Sequence, residues 1–283
     1  MKNRQMKTRA VLLLSLAVIM SFLVVLYMIF CNGGEYNEAE IEIKNAEITT
    51  EPSENSTQSP QSSLPTSPAP TPEGTQTGTS SFPAIDPEAY NPIEMLNSEN
   101  WAVTLINKNF GLGKNFYPVV APVSDATDIY IDERIVENYN RMYNAALSGE
   151  EKIILIPSSG YQNYSTQKSL YDKKLQAFIT NGNTEEEAIK NVEMRISPAG
   201  YSENGAGLAI DFAPTNADFA SSKEFNWLMT NAYKYGFVLR YPKDKTEITG
   251  MIYQPWHWRY VGVAAATEMK EKNLCLEEYL GLV

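Results

Sequence analysis

The feature that most constrains this 283-residue sequence is how little of it can build a hydrophobic core. Residues 10–31 form an almost unbroken apolar run, about 30 Å long as a helix, which matches the hydrocarbon thickness of a bilayer. Residues 32–92 lack sustained apolar periodicity and are rich in Ser, Thr and Pro, a composition that buries too little apolar surface to offset the entropy of ordering. A globular core is therefore predicted only for residues 93–283.

The charges around the apolar run predict a membrane anchor with a defined orientation. Four basic residues lie within positions 1–9, whereas the first acidic residue of the chain is Glu35. The positive-inside rule then places residues 1–9 in the cytoplasm as a tail and everything after the transmembrane anchor, residues 10–31, outside the cell. The order predicted outside is a disordered stalk, residues 32–92, followed by the extracytoplasmic domain. A cleaved signal peptide is the alternative, but its apolar core is usually shorter, at roughly 7–15 residues. The expected location is the cell membrane, crossed once.

Charge and rare residue types exclude several classes of function. The formal net charge is −11 and reaches −15 from Glu35 onward, which makes the chain a poor nucleic-acid binder because phosphate neutralisation needs clustered Lys and Arg. The two cysteines, Cys31 and Cys275, cannot form a disulfide framework or a Cys-rich zinc site. The single histidine, His257, excludes every metal site that needs two imidazoles.

Periodicity in the C-terminal part mixes helices and short strands without a regular strand–helix–strand alternation, which predicts an α+β domain. Strands are predicted at residues 101–106, 153–156, 207–212, 237–240 and 256–261. Helices are predicted from Asp132 to Gly149, from Ser165 to Asn181, from the capping boxes Thr184–Glu187 and Ser221–Glu224, and at residues 263–272.

Three irregular stretches, rich in small and aromatic residues, carry the candidate functional residues. They are residues 158–167 (SSGYQNYSTQ), 197–212 (SPAGYSENGAGLAIDF) and 254–262 (QPWHWRYVG). On residue types alone, Asp211 could be a buried hydrogen-bonded carboxylate and His257 a core histidine, with the Ser and Gly residues in turns. A structural interpretation and a functional pocket therefore both stay open at this point.

The three stretches resemble the motifs of the VanY-type D-alanyl-D-alanine carboxypeptidases, which act on cell-wall peptidoglycan. The family pattern runs approximately S-G-Y-R-S-x-x-x-Q, then S-E-H-x-x-G-L-A-x-D, then E-P-W-H-x-R-Y-V-G, and the likeness extends over residues 105–282. It implies one domain of that fold, with a small antiparallel sheet flanked by helices. It also implies a substrate groove formed by Tyr161, Ser165, Gln167, Ser202 and Trp256.

The departures from this pattern concern the residues that carry the chemistry. The resemblance implies a zinc ion held by two His and one Asp; Asp211 and His257 keep two of these positions, and Asn204 stands at the third. Gln254 replaces the Glu general base, and Gln162 replaces the Arg that contacts the substrate and the developing negative charge. An amide oxygen is a poor zinc ligand, and Gln cannot accept a proton. Loss of the base and the charge stabiliser together would lower the rate by very roughly 10⁴–10⁷.

Glu203 is the one neighbouring carboxylate that could act as a spare ligand. If residues 203 and 204 are strand-like, however, its side chain points away from that of Asn204. The resembled family also has Glu at this position beside its His, so Glu203 is not expected to replace the missing ligand. We therefore expect no cofactor.

Several functions stay open on this basis. The favoured hypothesis is a catalytically silent domain that binds a peptidoglycan stem peptide or a cell-envelope protein. The alternative is an active metallocarboxypeptidase, with zinc or another metal, that removes the terminal D-alanine from stem peptides. A Ser–His–Asp hydrolase using Ser202 or Ser165 lacks a nucleophile-elbow pattern, and a purely structural surface domain is the remaining possibility.

Overall fold

The computed structural model describes residues 80–124 and 127–283. The predicted cytoplasmic tail, the membrane anchor and most of the predicted stalk lie outside these residues. Within the described part of the chain, no helix is both long and apolar enough to cross a bilayer.

Short helices surround two small antiparallel sheets. Strands β1 (Val120–Pro122) and β2 (Tyr130–Asp132) form the smaller sheet. The larger sheet has the order β3 (Pro157–Ser159), β4 (Ala209–Phe212), β6 (His257–Tyr260) and β5 (Phe237–Leu239), with every neighbouring pair antiparallel. The prediction of an α+β fold with a small antiparallel sheet is confirmed.

The α-helices are mostly short. They span Pro92–Leu96, Val136–Ser148, Tyr164–Thr180, Glu185–Glu193, Lys223–Asn231, Thr246–Thr249, Val263–Lys272 and Leu276–Tyr279. Single 3₁₀ turns lie at Trp101–Val103, Glu133–Ile135, Glu203–Ala206, Ala217–Ser221, Ala232–Tyr235 and Lys243–Lys245.

The main hydrophobic core joins the larger sheet to the helix Val136–Ser148. This helix buries Tyr139, Met142 and Ala146, whose spacing of three and four residues places them on one face. The same cluster contains Ile210 of β4 and Trp258 of β6, which are register partners. The core therefore occupies one face of the central strand pair and leaves the opposite face for the polar residues that alternate with it.

Capping explains where several helices begin. The side chain of Asp132 accepts from the backbone N–H of Arg134, as predicted, and Thr184 forms the predicted capping box with Glu187. Two predicted caps are wrong. The helix predicted from Ser165 is capped by Asn163 and begins at Tyr164, and the helix predicted from Ser221 is capped by Ser222 without a capping box.

Two predicted strands are misplaced. Residues 101–106 contain a 3₁₀ turn in place of a strand, and the strand predicted at residues 153–156 lies at Pro157–Ser159. Residues 153–156 do alternate, with Ile153 and Leu155 buried and Ile154 and Ile156 exposed. The continuous apolar run predicted a short buried strand here, but two of its four side chains are exposed and ladder pairing to β4 begins only after it.

The ordered domain begins before the predicted boundary at residue 93. Phe82, Ile85 and Tyr90 pack against a second hydrophobic cluster that includes Leu280 near the C-terminus. The backbone N–H of Ile85 donates to the Leu280 carbonyl at 3.0 Å. Residues 81–92 therefore form a strap over the domain, and assigning them to the stalk was wrong.

Candidate functional site

Asp211 and His257 form the centre of the candidate site. They occupy directly opposed positions of β4 and β6, so their side chains emerge on the same face of the sheet. His257 Nδ1 lies 2.7 Å from Asp211 Oδ1, and the ring of Tyr241 stacks on the imidazole with centroids 5.1 Å apart. The imidazole is buried. The two predicted metal-ligating residues are thus in direct contact with each other.

Glu203 lies at the other ring nitrogen of His257. Its Oε2 atom is 3.7 Å from His257 Nε2, and both atoms are buried without a hydrogen-bond partner in the described residues. Residues 203–206 form a 3₁₀ turn rather than the strand-like segment assumed for Glu203 and Asn204, and the contact of Glu203 with His257 was not predicted. Gly207 ends this turn at φ +68°, and a Cβ there would lie 2.7 Å from the backbone nitrogen of Asp132.

A buried charge network holds Glu203 in place. Its Oε1 atom is 2.6 Å from Arg240 Nε and 2.9 Å from Arg259 Nη1. Arg240 also makes a bidentate pair with Glu277, at 2.7 and 2.9 Å. Because each of these charges is removed from water, the network is stable only while every member keeps its partner.

The carboxylates on both sides of His257 favour its charged form. Burial alone would lower the pKa of His257, but the charges of Asp211 and Glu203 and their contacts with the ring outweigh it and raise the pKa to about 9. Burial alone would likewise raise the pKa of Glu203, yet Arg240 and Arg259 hold that pKa well below its usual range. The site therefore contains an imidazolium between two carboxylates at neutral pH.

The side chain of Asn204, at the position of the third ligand, is hydrogen-bonded to other groups of the protein. Its Nδ2 donates to the Gly160 carbonyl at 2.8 Å, and its Oδ1 accepts from Ser202 Oγ at 3.3 Å. A carbonyl oxygen can only accept, so the Gly160 bond fixes which end of the carboxamide is which. Both ends of the Asn204 side chain are thereby used within the fold.

The two glutamines are also bonded internally. Gln254 Nε2 donates to the Arg195 carbonyl at 3.1 Å, and Gln162 Nε2 donates to Ser159 Oγ at 2.8 Å. A carboxylate at position 254 would place a negative oxygen against the Arg195 carbonyl instead. The carboxamides at the positions of the base and the Arg thus act as structural donors.

The predicted substrate-binding residues separate into two groups. Gln167 and Ser202 line one narrow cleft, together with Gln162 at the position of the Arg. Tyr161, Ser165 and Trp256 do not line it: Tyr161 is half-buried, Ser165 is exposed and donates to Asn163 Oδ1, and Trp256 packs against the main core.

A zinc ion does not fit the donors that this arrangement offers. Zinc sites need at least three good protein ligands, and Asp211 and His257 supply two. Glu203 cannot complete this set, because it faces Nε2 while Asp211 faces Nδ1, and one ion cannot bind both nitrogens of one ring. Within the described residues, no group of three or more His, Cys, Asp or Glu side chains is placed to share a metal ion.

Sequence reasoning missed the buried charges around the site. The usable signal was Arg259, two residues after His257 in a strand whose alternate residues share a face. A buried Arg beside a candidate ligand requires a carboxylate partner, and Glu203 was available in the preceding motif. Arg240 and Glu277 gave no comparable local signal, because they are distant in sequence and pair only through the tertiary fold.

Comparison with known proteins matches both the fold and the motifs. The sequence model of the family described as "VanY: D-alanyl-D-alanine carboxypeptidase" matches residues 128–263. A D-alanyl-D-alanine carboxypeptidase of Enterococcus faecalis is 32% identical over 209 residues, which cover 73% of this chain and 76% of that protein.

Two solved structures share the fold at comparable similarity. VanYB in complex with D-alanine-D-alanine is 35% identical with a TM-score of 0.57, covering 64% of this chain and 98% of that chain. A vancomycin-resistance D,D-pentapeptidase VanY mutant in complex with Zn(II) is 36% identical with a TM-score of 0.56, covering 64% of this chain and 99% of that chain.

The fold and the three motif positions define a peptidase scaffold of the kind that acts on peptidoglycan. The chain belongs to the VanY family of D-alanyl-D-alanine carboxypeptidases. The resemblance inferred from the motifs is thus confirmed.

Proposed function

We propose that this chain is a non-hydrolytic member of the VanY family that binds D-alanyl peptides of the cell wall. The observation that carries the proposal is the hydrogen bond from Asn204 Nδ2 to the Gly160 carbonyl. Because of this bond, the amide nitrogen at the third ligand position acts as a donor within the fold. Asp211 and His257 are hydrogen-bonded to each other. Related proteins with a D-alanine-D-alanine complex support the class of ligand.

Binding without hydrolysis follows from what the remaining residues can do. Gln254 has no proton-accepting carboxylate, so it cannot activate water. Gln162 carries no charge to stabilise a developing oxyanion. The cleft lined by Gln162, Gln167 and Ser202 has a volume of only about 10 Å³, so a peptide would meet these polar groups at its rim.

The test uses the purified full-length chain and N-acetyl-L-lysyl-D-alanyl-D-alanine. We expect less than one zinc per chain by elemental analysis, no D-alanine release, and saturable peptide binding by calorimetry. Stoichiometric zinc with zinc-dependent D-alanine release would overturn the proposal in favour of the active enzyme. Absence of any peptide binding would overturn it in favour of a different partner, such as a cell-envelope protein.

One observation favours the active metalloenzyme as the second candidate. Metal-ligating histidines usually present their second ring nitrogen to a carboxylate, and Glu203 occupies that position for His257. In that case Asp211 and His257 Nδ1 would be the residues that hold the ion. Loss of bound zinc on Asp211→Ala would identify this case.

We also propose that the domain stands outside the cell membrane, held by the apolar run at residues 10–31. Support comes from the basic residues before the run and the acidic residues after it. Protease added to intact cells should cut between about residues 49 and 81 and release the domain. Cleavage only after lysis would contradict this orientation.

A further inference from the structure

We propose that a groove beside the strap is a docking site for a short basic segment of a partner protein, in which Lys or Arg alternates with apolar side chains. The groove is lined by residues of the strap, by the helix Pro92–Leu96 and the turn after it, and by Tyr279. Its volume is about 700 Å³. Ligand sites in proteins commonly enclose about 300–1,000 Å³, so the groove has room for a few residues.

Apolar and aromatic side chains form one part of the lining. They include Phe82, Ile85, Tyr90, Met95 and Tyr279. The rings of Phe82 and Tyr279 pack with centroids 5.4 Å apart. Tyr279 is buried, whereas the other four residues are only half-buried. Apolar surface is therefore left on the groove for the apolar side chains of a partner to cover.

The charges of the groove are all negative. Asp86 and Glu94 line it, and no described Lys, Arg or His does. The surrounding stretch, residues 80–100, contains two further acidic residues, Glu88 and Glu99, and no basic residue. A cationic partner is attracted to such a surface, and an acidic one is repelled.

Both carboxylates that line the groove are available to a partner. Asp86 Oδ1 accepts from the backbone N–H of Glu88 at 3.0 Å, and Glu94 Oε1 accepts from Asn91 Nδ2 at 3.1 Å. In the described part of the chain, neither carboxylate has a cationic partner, and the second oxygen of each makes no hydrogen bond. Each can therefore accept from an ammonium or a guanidinium group.

Contacts within the fold fix the shape of the groove without a partner. The backbone N–H of Ile85 donates to the Leu280 carbonyl at 3.0 Å. The Tyr90 hydroxyl accepts from the N–H of Leu105 at 2.6 Å and donates to its carbonyl at 3.1 Å. A site that is already formed has a smaller ordering cost on binding.

A basic segment with apolar neighbours matches both parts of the lining. Its cation pairs with Asp86 or Glu94, and its apolar side chains cover the half-buried rings. A bare metal ion would leave the apolar part uncovered. The groove shares no lining residue with the candidate site around Asp211 and His257, so the inference does not depend on the proposed function.

The experiment titrates capped pentapeptides into the full-length chain and follows binding by calorimetry. We expect saturable binding of N-acetyl-Leu-Lys-Phe-Lys-Leu-amide. The same peptide with Gln in place of both Lys residues should bind about tenfold more weakly, because it lacks both ion pairs. Added salt should weaken binding of the Lys peptide alone. A peptide with Ser in place of Leu and Phe should also bind more weakly, because it covers no apolar surface.

Two double variants locate the site on the chain. Asp86→Asn with Glu94→Gln should abolish the preference for the Lys peptide over the Gln peptide. Glu185→Gln with Glu186→Gln is the matched control, because it removes the same charge from exposed residues that do not line the groove. The control should keep the tenfold preference. Circular dichroism checks that both variants are folded.

The contrary results are equally specific. Absence of binding by the Lys peptide, or equal affinities for the Lys and Gln peptides, would overturn the inference. An equal loss of preference in both double variants would also overturn it, because the attraction would then come from the overall negative charge of the chain. None of these results bears on the binding of D-alanyl peptides, which is tested separately.

Discussion

His257 Nδ1 lies 2.7 Å from Asp211 Oδ1 because the two residues are register partners on adjacent strands. The sheet alone therefore brings this acid and this base together. Their proximity follows from the register of β4 and β6, and the side chain of Asn204 bonds to neither of them. An Asp–His pair in a protein of this fold is consequently weak support for a bound metal, and the third ligand position decides.

The first prediction concerns restoration of the site. Asn204→His should bind about one zinc per chain without turnover, because Gln254 still cannot accept a proton. Adding Gln254→Glu and Gln162→Arg should produce D-alanine release from N-acetyl-L-lysyl-D-alanyl-D-alanine, roughly 10⁴-fold or more above the natural chain. Elemental analysis and a D-alanine assay measure the two effects. A folded triple variant without metal would show that the pocket differs beyond these positions.

The second prediction concerns the buried charge network. Glu203→Gln leaves Arg240 and Arg259 without their shared carboxylate, so the free energy of unfolding should fall by about 3–5 kcal/mol. Urea denaturation measures the change. Glu151→Gln, at an exposed position, is the matched control and should change stability by less than about 0.5 kcal/mol. Similar small effects at both positions would rule out a structural role for the network.

The third prediction concerns pH. The pKa of His257 is raised from 6.5 to about 9 in the folded chain, so its protonated form stabilises the fold. This contribution, about 3 kcal/mol, should be complete below about pH 6.5 and lost as pH rises through about 9. Unfolding at about pH 6 and about pH 10 measures it as the difference between the natural chain and His257→Gln. A difference that does not shrink at alkaline pH would contradict the assignment.

The fourth prediction concerns the strap, residues 81–92. A fragment of residues 93–283 should unfold at a lower temperature than one of residues 80–283, because it exposes the apolar surface that Phe82, Ile85 and Tyr90 cover. Tyr90→Phe, which removes a hydroxyl bonded to both the N–H and the carbonyl of Leu105, should cost about 1 kcal/mol. Thermal unfolding distinguishes the variants. Equal melting temperatures for the two fragments would place the domain boundary at residue 93 after all.

The sequence predicted the fold class and most helices because their signals are local. The spacing of Tyr139, Met142 and Ala146 and the capping box at Thr184 depend only on neighbours along the chain. Strand positions were less predictable. The apolar run at residues 153–156 predicts a strand, but which residues pair depends on the partner strand β4.

The site was predictable in its residues but not in its bonds. The motifs identified Asp211, His257 and Asn204, and the strand register brings the first two together. The role of Asn204 could not be predicted, because its bond partner, Gly160, is 44 residues away. The contact of Glu203 with His257 was not predicted, because a strand-like segment was assumed where the chain forms a 3₁₀ turn.

The strap also determines where mechanical tension enters the domain. Ser81 contacts Glu268, and Ile85 is bonded to Leu280, so the first described residues are held to residues near the C-terminus. A pull applied at Ser81 therefore loads these contacts before it reaches any strand of the sheet. Asp211 and His257 lie on those strands, so the contacts of the strap separate the pair from such a pull.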